Sequence, residues 1–403
     1  MSTKILSRGL LLSFFGGVVA CSPSNASPDG VSKAGASAMT DPDDAGNSVK
    51  CQYFPEIPVA IGTPPGPAPY TVSGELCATE DELVDGATLQ LLIHGATYNH
   101  EYWNFGIVNE KRYSYSRSMA VRGFPTFALD ELGAGNSSRP PSDQMTIDTA
   151  ALVAHAMVQA LRSGSINGIQ FGKVIIVGHS LGSVVAWQEA ISYGDVDGVI
   201  ATGAAHFLTS AFLDLNLFYP AMMDPKFSDS ALDDGYLTTV PGIRAAFYSA
   251  PDFDPAVVAL DEKRKDLVAG PELMTGLPVV LSPATQAIQV PVLTILGGDD
   301  LTACGTDAQG RSFDCSYGAI VASQEAPFYS PNAQIQACIV PDSGHDISLA
   351  LNNDLQVRDS AAWSFRFVGQ RQLAQKHDFD DGSGFDDIMD RLPDCGGPTV
   401  ELQ

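Results

Sequence analysis

The stretch Gly178-His179-Ser180-Leu181-Gly182 directly follows the apolar run Val174 to Val177, and this junction of strand and tight turn constrains the chain more than any other feature. Upstream, Phe171 to Val177 reads as a buried strand, and downstream Val184 to Ile191 carries helical apolar spacing. A serine lifted onto a sharp turn between the two stands where a base can reach its otherwise inert hydroxyl. Gly178 and Gly182 permit the turn, because they lack the Cβ atoms that would strike the adjoining strand and helix. Ser180 is therefore the candidate nucleophile.

The remainder of the chain continues the alternation. Thr88 to Ile93, Thr126 to Leu129, Gly198 to Thr202, Val290 to Leu296 and Ile335 to Val340 are short apolar strand candidates, with Tyr70 to Leu76 expected as an edge strand. Helices are expected over Ile147 to Arg162 and over Val357 to Ala374. Strands and helices in this order predict an α/β domain with a mostly parallel central sheet flanked by helices. The gap between two of these strands, residues 204–289, is too long for a loop and is expected to form a helical cap. Its aromatic residues, among them Phe207, Phe212, Phe247 and Tyr248, suggest a lid over an apolar pocket, with packing into a separate small core as the alternative. The core is thus expected in two parts, 49–203 and 290–376.

Serine chemistry needs a base, a carboxylate to orient it and two backbone donors for the oxyanion. His345, in Asp342-Ser343-Gly344-His345-Asp346, follows the last strand candidate and is the expected base. His155 sits within a helix, His179 adjoins the serine and His377 falls in the acidic tail, so each fits less well. Asp300, at the end of Leu296-Gly297-Gly298-Asp299-Asp300, is the expected acid, with Asp299 as its rival. His94-Gly95-Ala96-Thr97 ends another strand, so the Ala96 and Leu181 amides are the candidate oxyanion donors, and His94 is expected to brace the turn. Tyr102 and Trp103, just beyond, are candidates either for the acyl pocket or for packing.

These residues, together with Asp130-Glu131-Leu132-Gly133-Ala134-Gly135-Asn136-Ser137, resemble the motifs of α/β-hydrolase-fold serine hydrolases of the esterase and lipase kind. The resemblance spans about Thr88 to Ala374 and implies a Ser180, Asp300, His345 triad acting through an acyl-enzyme on a small-molecule ester. No cofactor is expected, and no metal either, since the sequence has no C-x-x-C or Cys/His cluster. It implies a structural turn around Asp130. Dehalogenases and epoxide hydrolases of this fold carry aspartate where Ser180 stands, which disfavours both. Lactonase, thioesterase and carbon–carbon bond hydrolase activities use the same triad, and a non-catalytic binding protein on the same scaffold is the alternative of another class.

At the N-terminus, Lys4 and Arg8 precede the apolar stretch Gly9 to Ala20, and Val18-Val19-Ala20-Cys21 resembles a bacterial lipoprotein cleavage site. That resemblance implies a signal peptide over 1–20, acylation of Cys21 and a membrane anchor, with Ser22 pointing to the outer membrane of a Gram-negative envelope; ordinary secretion is the alternative. Residues 21–48 read as a flexible tether. Of seven cysteines, removing Cys21 leaves Cys51, Cys77, Cys304, Cys315, Cys338 and Cys395, an even set suited to disulfides outside the cytoplasm. Short separations favour Cys51 with Cys77 and Cys304 with Cys315, which leaves Cys338 for Cys395. A net charge of -25 argues against a nucleic-acid partner. The acidic segment within 377–403 fails the EF-hand register and reads as a solvated tail. Oligomeric state is not legible.

Overall fold

In a computed structural model of the chain, the described residues are 49–62, 69–214, 216–250 and 252–370. The signal peptide, Cys21, the tether, His377 and the acidic tail with Cys395 lie outside them. Among the described residues, no helix is long and apolar enough to cross a membrane.

Eight strands form one sheet: β1 (Lys50–Val59), β2 (Tyr70–Ala78), β3 (Thr88–Ile93), β4 (Thr126–Asp130), β5 (Lys173–His179), β6 (Gly198–Thr202), β7 (Val292–Gly297) and β8 (Gln336–Val340). Their order is β1-β2-β4-β3-β5-β6-β7-β8. β2 runs antiparallel to both β1 and β4, and every other pair is parallel. Strands buried on both faces are mostly apolar, which is why they stand out as runs, and the buried Gln90 of β3 is satisfied by hydrogen bonds with Ser364 and Tyr115. In β5, Val174 and Ile176 join the core beneath helices α2 (Ile147–Ser163) and α3 (Leu181–Ser192). Ile175 and Val177 face the opposite core, which α1 (Tyr115–Val121) closes through Met119.

Three sequence expectations change. Tyr70–Ala78 is not the edge, since Lys50–Val59 pairs outside it. That outer strand carries Pro55 and Pro58 and is half-exposed, a pattern an edge tolerates because one side of its backbone needs no partner. The closing helix also stops early: α7 (Asp354–Trp363) passes into a π turn over Ser364–Val368 and ends at Gly369, whose φ of 82° leaves helical space. The insertion after β6 is also mixed rather than purely helical. It holds α4 (Pro255–Arg264), α5 (Gly270–Val280) and a three-stranded antiparallel sheet of Phe218–Pro220, Tyr236–Thr239 and Val268–Ala269. A further helix, α6 (Gly318–Glu325), precedes β8.

Cys51 and Cys77 face each other across β1 and β2 and form a disulfide, as do Cys304 and Cys315. Cys338 is disulfide-bonded too, while its expected partner Cys395 lies outside the described residues. The first bridge ties the edge strand to the sheet across a separation of 26 residues. Loop-closure entropy assigns such a crosslink about 3 kcal/mol. The Cys51→Ser/Cys77→Ser double variant is expected to lose about that much, read as a lower urea midpoint, with a slope no smaller than the wild type's because the unfolded chain is freed of its crosslink.

Candidate active site

The elbow forms where β5 meets α3. Ser180 sits at φ 53°, a left-handed conformation that a non-glycine residue holds only when its surroundings impose it. Its N–H donates to the Thr202 carbonyl at 2.8 Å, which pins the turn to the end of β6. A Cβ on Gly178 would meet the Gly182 carbonyl and the Ser183 amide, and one on Gly182 would meet the carbonyls of Ile93 and His94. The two glycines therefore allow the helix to start directly against the end of β3. The Ser180 hydroxyl forms no hydrogen bond among the described residues.

Asp300 and His345 meet at the carboxyl ends of β7 and β8. His345 Nδ1 lies 3.0 Å from Asp300 Oδ2 and 3.1 Å from Oδ1, with both groups buried. Burial opposes the charge on Asp300, but the His345 ring overrides it and holds the carboxyl below its ordinary value. Burial likewise lowers His345, and the Asp300 charge outweighs it, so the imidazole sits above its ordinary 6.5. Asp299, the rival acid, is exposed and takes the Ser249 hydroxyl at 2.6 Å instead. Thr302, which sequence reasoning missed, donates its amide at 2.9 Å and its hydroxyl at 2.7 Å to Asp300 Oδ1. Its only sequence signal is its place two residues after the acid.

The ring of His345 stands 4.9 Å from that of His179 and 5.5 Å from that of Phe247, centroid to centroid. A Cβ on Gly203 would lie 3.0 Å from Cε1 of both histidines, so the imidazole rests over the residue that follows the pinning carbonyl of Thr202. No hydrogen bond joins it to Ser180 in this arrangement. In free hydrolases that contact is often long and tightens with substrate bound.

Neither the Ala96 nor the Leu181 amide donates to a described group, and a Cβ on the intervening Gly95 turn would come within 3.1 Å of Ser180 Cβ. Two unpaired donors thus border the serine. His94 holds this turn: its Nδ1 lies 2.9 Å from the Gly95 carbonyl, and its Nε2 accepts the Glu131 amide at 3.2 Å. Asp130 is engaged elsewhere, accepting the Ser73 hydroxyl at 2.6 Å and the His100 amide at 2.8 Å, with His100 Nδ1 at 2.7 Å. Burial would raise its carboxyl, but these partners bring it down to about 2.

Tyr102 and Trp103 are packed inside rather than lining a pocket. Tyr102 stacks on His179 with centroids 4.3 Å apart, and Trp103 is fully buried. A second group unforeseen from sequence surrounds them. Asp346 accepts the Tyr98 hydroxyl at 2.5 Å and lies 3.3 Å from His179 Nε2. Arg244, from the insertion, pairs with Asp261 through bonds of 2.7 and 2.9 Å and donates to the Thr97 hydroxyl at 3.0 Å.

A family model described as the alpha/beta hydrolase family matches residues 90–360. The chain belongs to that family. The match begins within β3 and ends within α7, so it takes in the insertion and the positions of Ser180, Asp300 and His345. Among solved structures, the chain resembles a thermophilic esterase from Thermogutta terrifontis at 17% identity and a TM-score of 0.50, covering 76% of this chain and 97% of that one. A soluble variant of monoglyceride lipase from Saccharomyces cerevisiae aligns at 15% identity and a TM-score of 0.51, covering 73% and 91%. At such identities the likeness extends to the fold alone. No curated protein matches the chain.

Gly203 gives a test of the geometry. Gly203→Ala adds a methyl where both histidine rings already crowd, at a φ of 62°. A hydrolase that uses His345 is expected to lose about a hundredfold in kcat for ester cleavage, because a displacement of roughly 1 Å is enough for that. Far-UV circular dichroism is expected to be retained, which separates a displaced ring from an unfolded chain.

Proposed function

We propose that the protein is a serine hydrolase that cleaves a carboxylic ester through an acyl-enzyme. The observation that carries this reading is the buried Asp300–His345 pair beside a serine held at φ 53°. In this scheme His345 Nε2 takes the Ser180 proton as Oγ attacks the ester carbonyl. The carbonyl oxygen gains negative charge and meets the Ala96 and Leu181 amides, each donor typically contributing about 3 kcal/mol in the transition state. His345, now cationic and stabilised by Asp300, returns the proton to the departing alcohol. It then draws a proton from water, which releases the acid and restores the serine.

The likeness to esterase and lipase structures agrees with this chemistry but does not identify the acyl group. Lactones and thioesters would engage the same atoms. Two described disulfides support a compartment outside the cytoplasm. Export with a lipid anchor on Cys21 remains our reading of the N-terminal sequence, and metabolic labelling with palmitate, lost in Cys21→Ala, tests it.

Hydrolysis of p-nitrophenyl acetate is expected in the wild type and to fall by roughly 10⁴-fold or more in Ser180→Ala. Persistence of the full rate in that variant would remove Ser180 from the mechanism. A panel of esters of graded length, lactones and thioesters then assigns the preferred bond.

The pH dependence follows from the sign of the His345 shift. The base must be neutral, and its folded value lies above 6.5, so kcat/KM is expected to fall as pH drops through a midpoint above 6.5. Asp300→Asn removes the charge that raises the ring. The midpoint is then expected to move down while kcat falls by roughly 10³–10⁴-fold.

A further inference from the structure

Well away from the elbow, three potential ligands converge where α2 packs on α3. His155 projects from α2, Glu189 from the last turns of α3 and Asp195 from the loop that leads into β6. Their donor atoms all lie within 4.8 Å of one another. His155 Nδ1 is 2.9 Å from Asp195 Oδ2 and 3.9 Å from Glu189 Oε1.

Glu189 is the anomaly. Its side chain is fully buried, yet neither carboxylate oxygen has a hydrogen-bond donor, and Asp195 Oδ1 beside it is also without one. A buried carboxylate with no donor is strongly unfavourable unless a cation or a proton compensates it. The His155 ring stands 3.9 Å from Glu189 Oε1 but makes no hydrogen bond to it. Arg162 donates to the Asp195 backbone carbonyl at 2.7 Å and to the Asp197 carboxylate instead.

We propose that His155, Glu189 and Asp195 form a binding site for a divalent transition-metal ion of the zinc type. One imidazole and two carboxylates are a donor set that zinc accepts at about 2.0–2.2 Å, which sets tetrahedral donors roughly 3.4 Å apart, within the observed spacings. The two carboxylates neutralise the ion. Around the ligands, Gln159 donates its amide to Asp195 Oδ2, and Tyr193 stacks on the His155 ring at 4.0 Å, so both partly exposed ligands are already oriented. His155 and Asp195 keep side-chain exposures of 28% and 21%, which leaves an entry path from solvent.

Burial first, and then Asp195, push the Glu189 carboxyl up to about 9. Imidazole and carboxyl groups ligate a metal only without their protons, so an entering ion displaces any proton they hold to solvent. Binding is expected to strengthen as pH rises. The ion would crosslink two helices and a loop, a structural role. Glu189 is nine residues along α3 from Ser180, roughly 13 Å of helix, so ester cleavage is not expected to depend on it.

The test is titration of the whole protein with ZnCl2 by calorimetry after dialysis against EDTA, alongside thermal melts, for the wild type, His155→Ala and Glu189→Gln. The expected result is a single Zn2+ bound at micromolar strength or tighter, tighter at about pH 8 than at about pH 6, with a rise in Tm. Both variants are expected to bind at least about tenfold more weakly while retaining p-nitrophenyl ester hydrolysis at whatever rate the wild type has. Because His155 is partly exposed, its variant keeps the test open should Glu189→Gln fail to fold. Absence of Zn2+ binding, or equal binding in the variants, would overturn the proposal and leave a proton shared between Glu189 and Asp195 as the occupant.

Discussion

The close approach of α3 to the end of β3 is the constraint from which the candidate site is built. Glycine at 182 lets the first turn of the helix rest on the carbonyls of Ile93 and His94, and any side chain there would push the two apart. That contact brings the amide of Leu181 beside the turn carrying Ala96 and leaves both donors unpaired. The positive φ of Ser180 belongs to the same arrangement. The Thr202 carbonyl, the glycines and the Leu181 helix start hold it from three sides.

Charge is organised around this frame in two buried groups. Asp300 and His345 support each other, each shifting the other toward its ionised form. Beside them, Arg244 reaches from the insertion to Asp261 by a two-bond pair, lies 3.9 Å over the Tyr98 ring and donates to Thr97. Losing one member of such a buried pair typically costs about 3–5 kcal/mol, because the other charge is stranded. The insertion is therefore fastened at Arg244 to the same turn that offers Ala96. Its stability and the placement of the Ala96 turn depend on the same interaction.

Legibility in the sequence followed burial. The strands of the parallel sheet were visible because both faces are covered, which forces unbroken apolar runs such as Val174 to Val177. Lys50–Val59 was not visible, because a half-exposed edge mixes proline, charge and aromatic residues. The strands of the insertion, two to four residues long, are too short to display a period. At the site, the turns at His94, Ser180, Asp300 and His345 were legible as loops at strand ends. Choosing between Asp299 and Asp300 was a weaker inference, since adjacent carboxylates differ only in the direction each is turned. Thr302 and Arg244 act through contacts made by distant chain segments, for which no local pattern exists. His155, Glu189 and Asp195 escaped for the same reason: the helix that supplies one and the helix that supplies another pack together only in the fold.

The aromatic content of the insertion illustrates how composition and location part company. Phe227 and Tyr236 join the main core, Phe207 packs on Phe313, and Met222 and Met223 are exposed. Phe247, by contrast, places its ring against His345, and the carbonyl of Phe247 accepts the Asp346 amide at 3.1 Å. A segment that reads as an aromatic lid is thus mostly a second layer of core, held by its own small sheet and by Arg244. Apolar preference in the substrate does not follow from the number of aromatic residues in the insertion. Among the described residues of the insertion, Phe247 is the aromatic side chain whose ring meets the imidazole of His345, with centroids 5.5 Å apart.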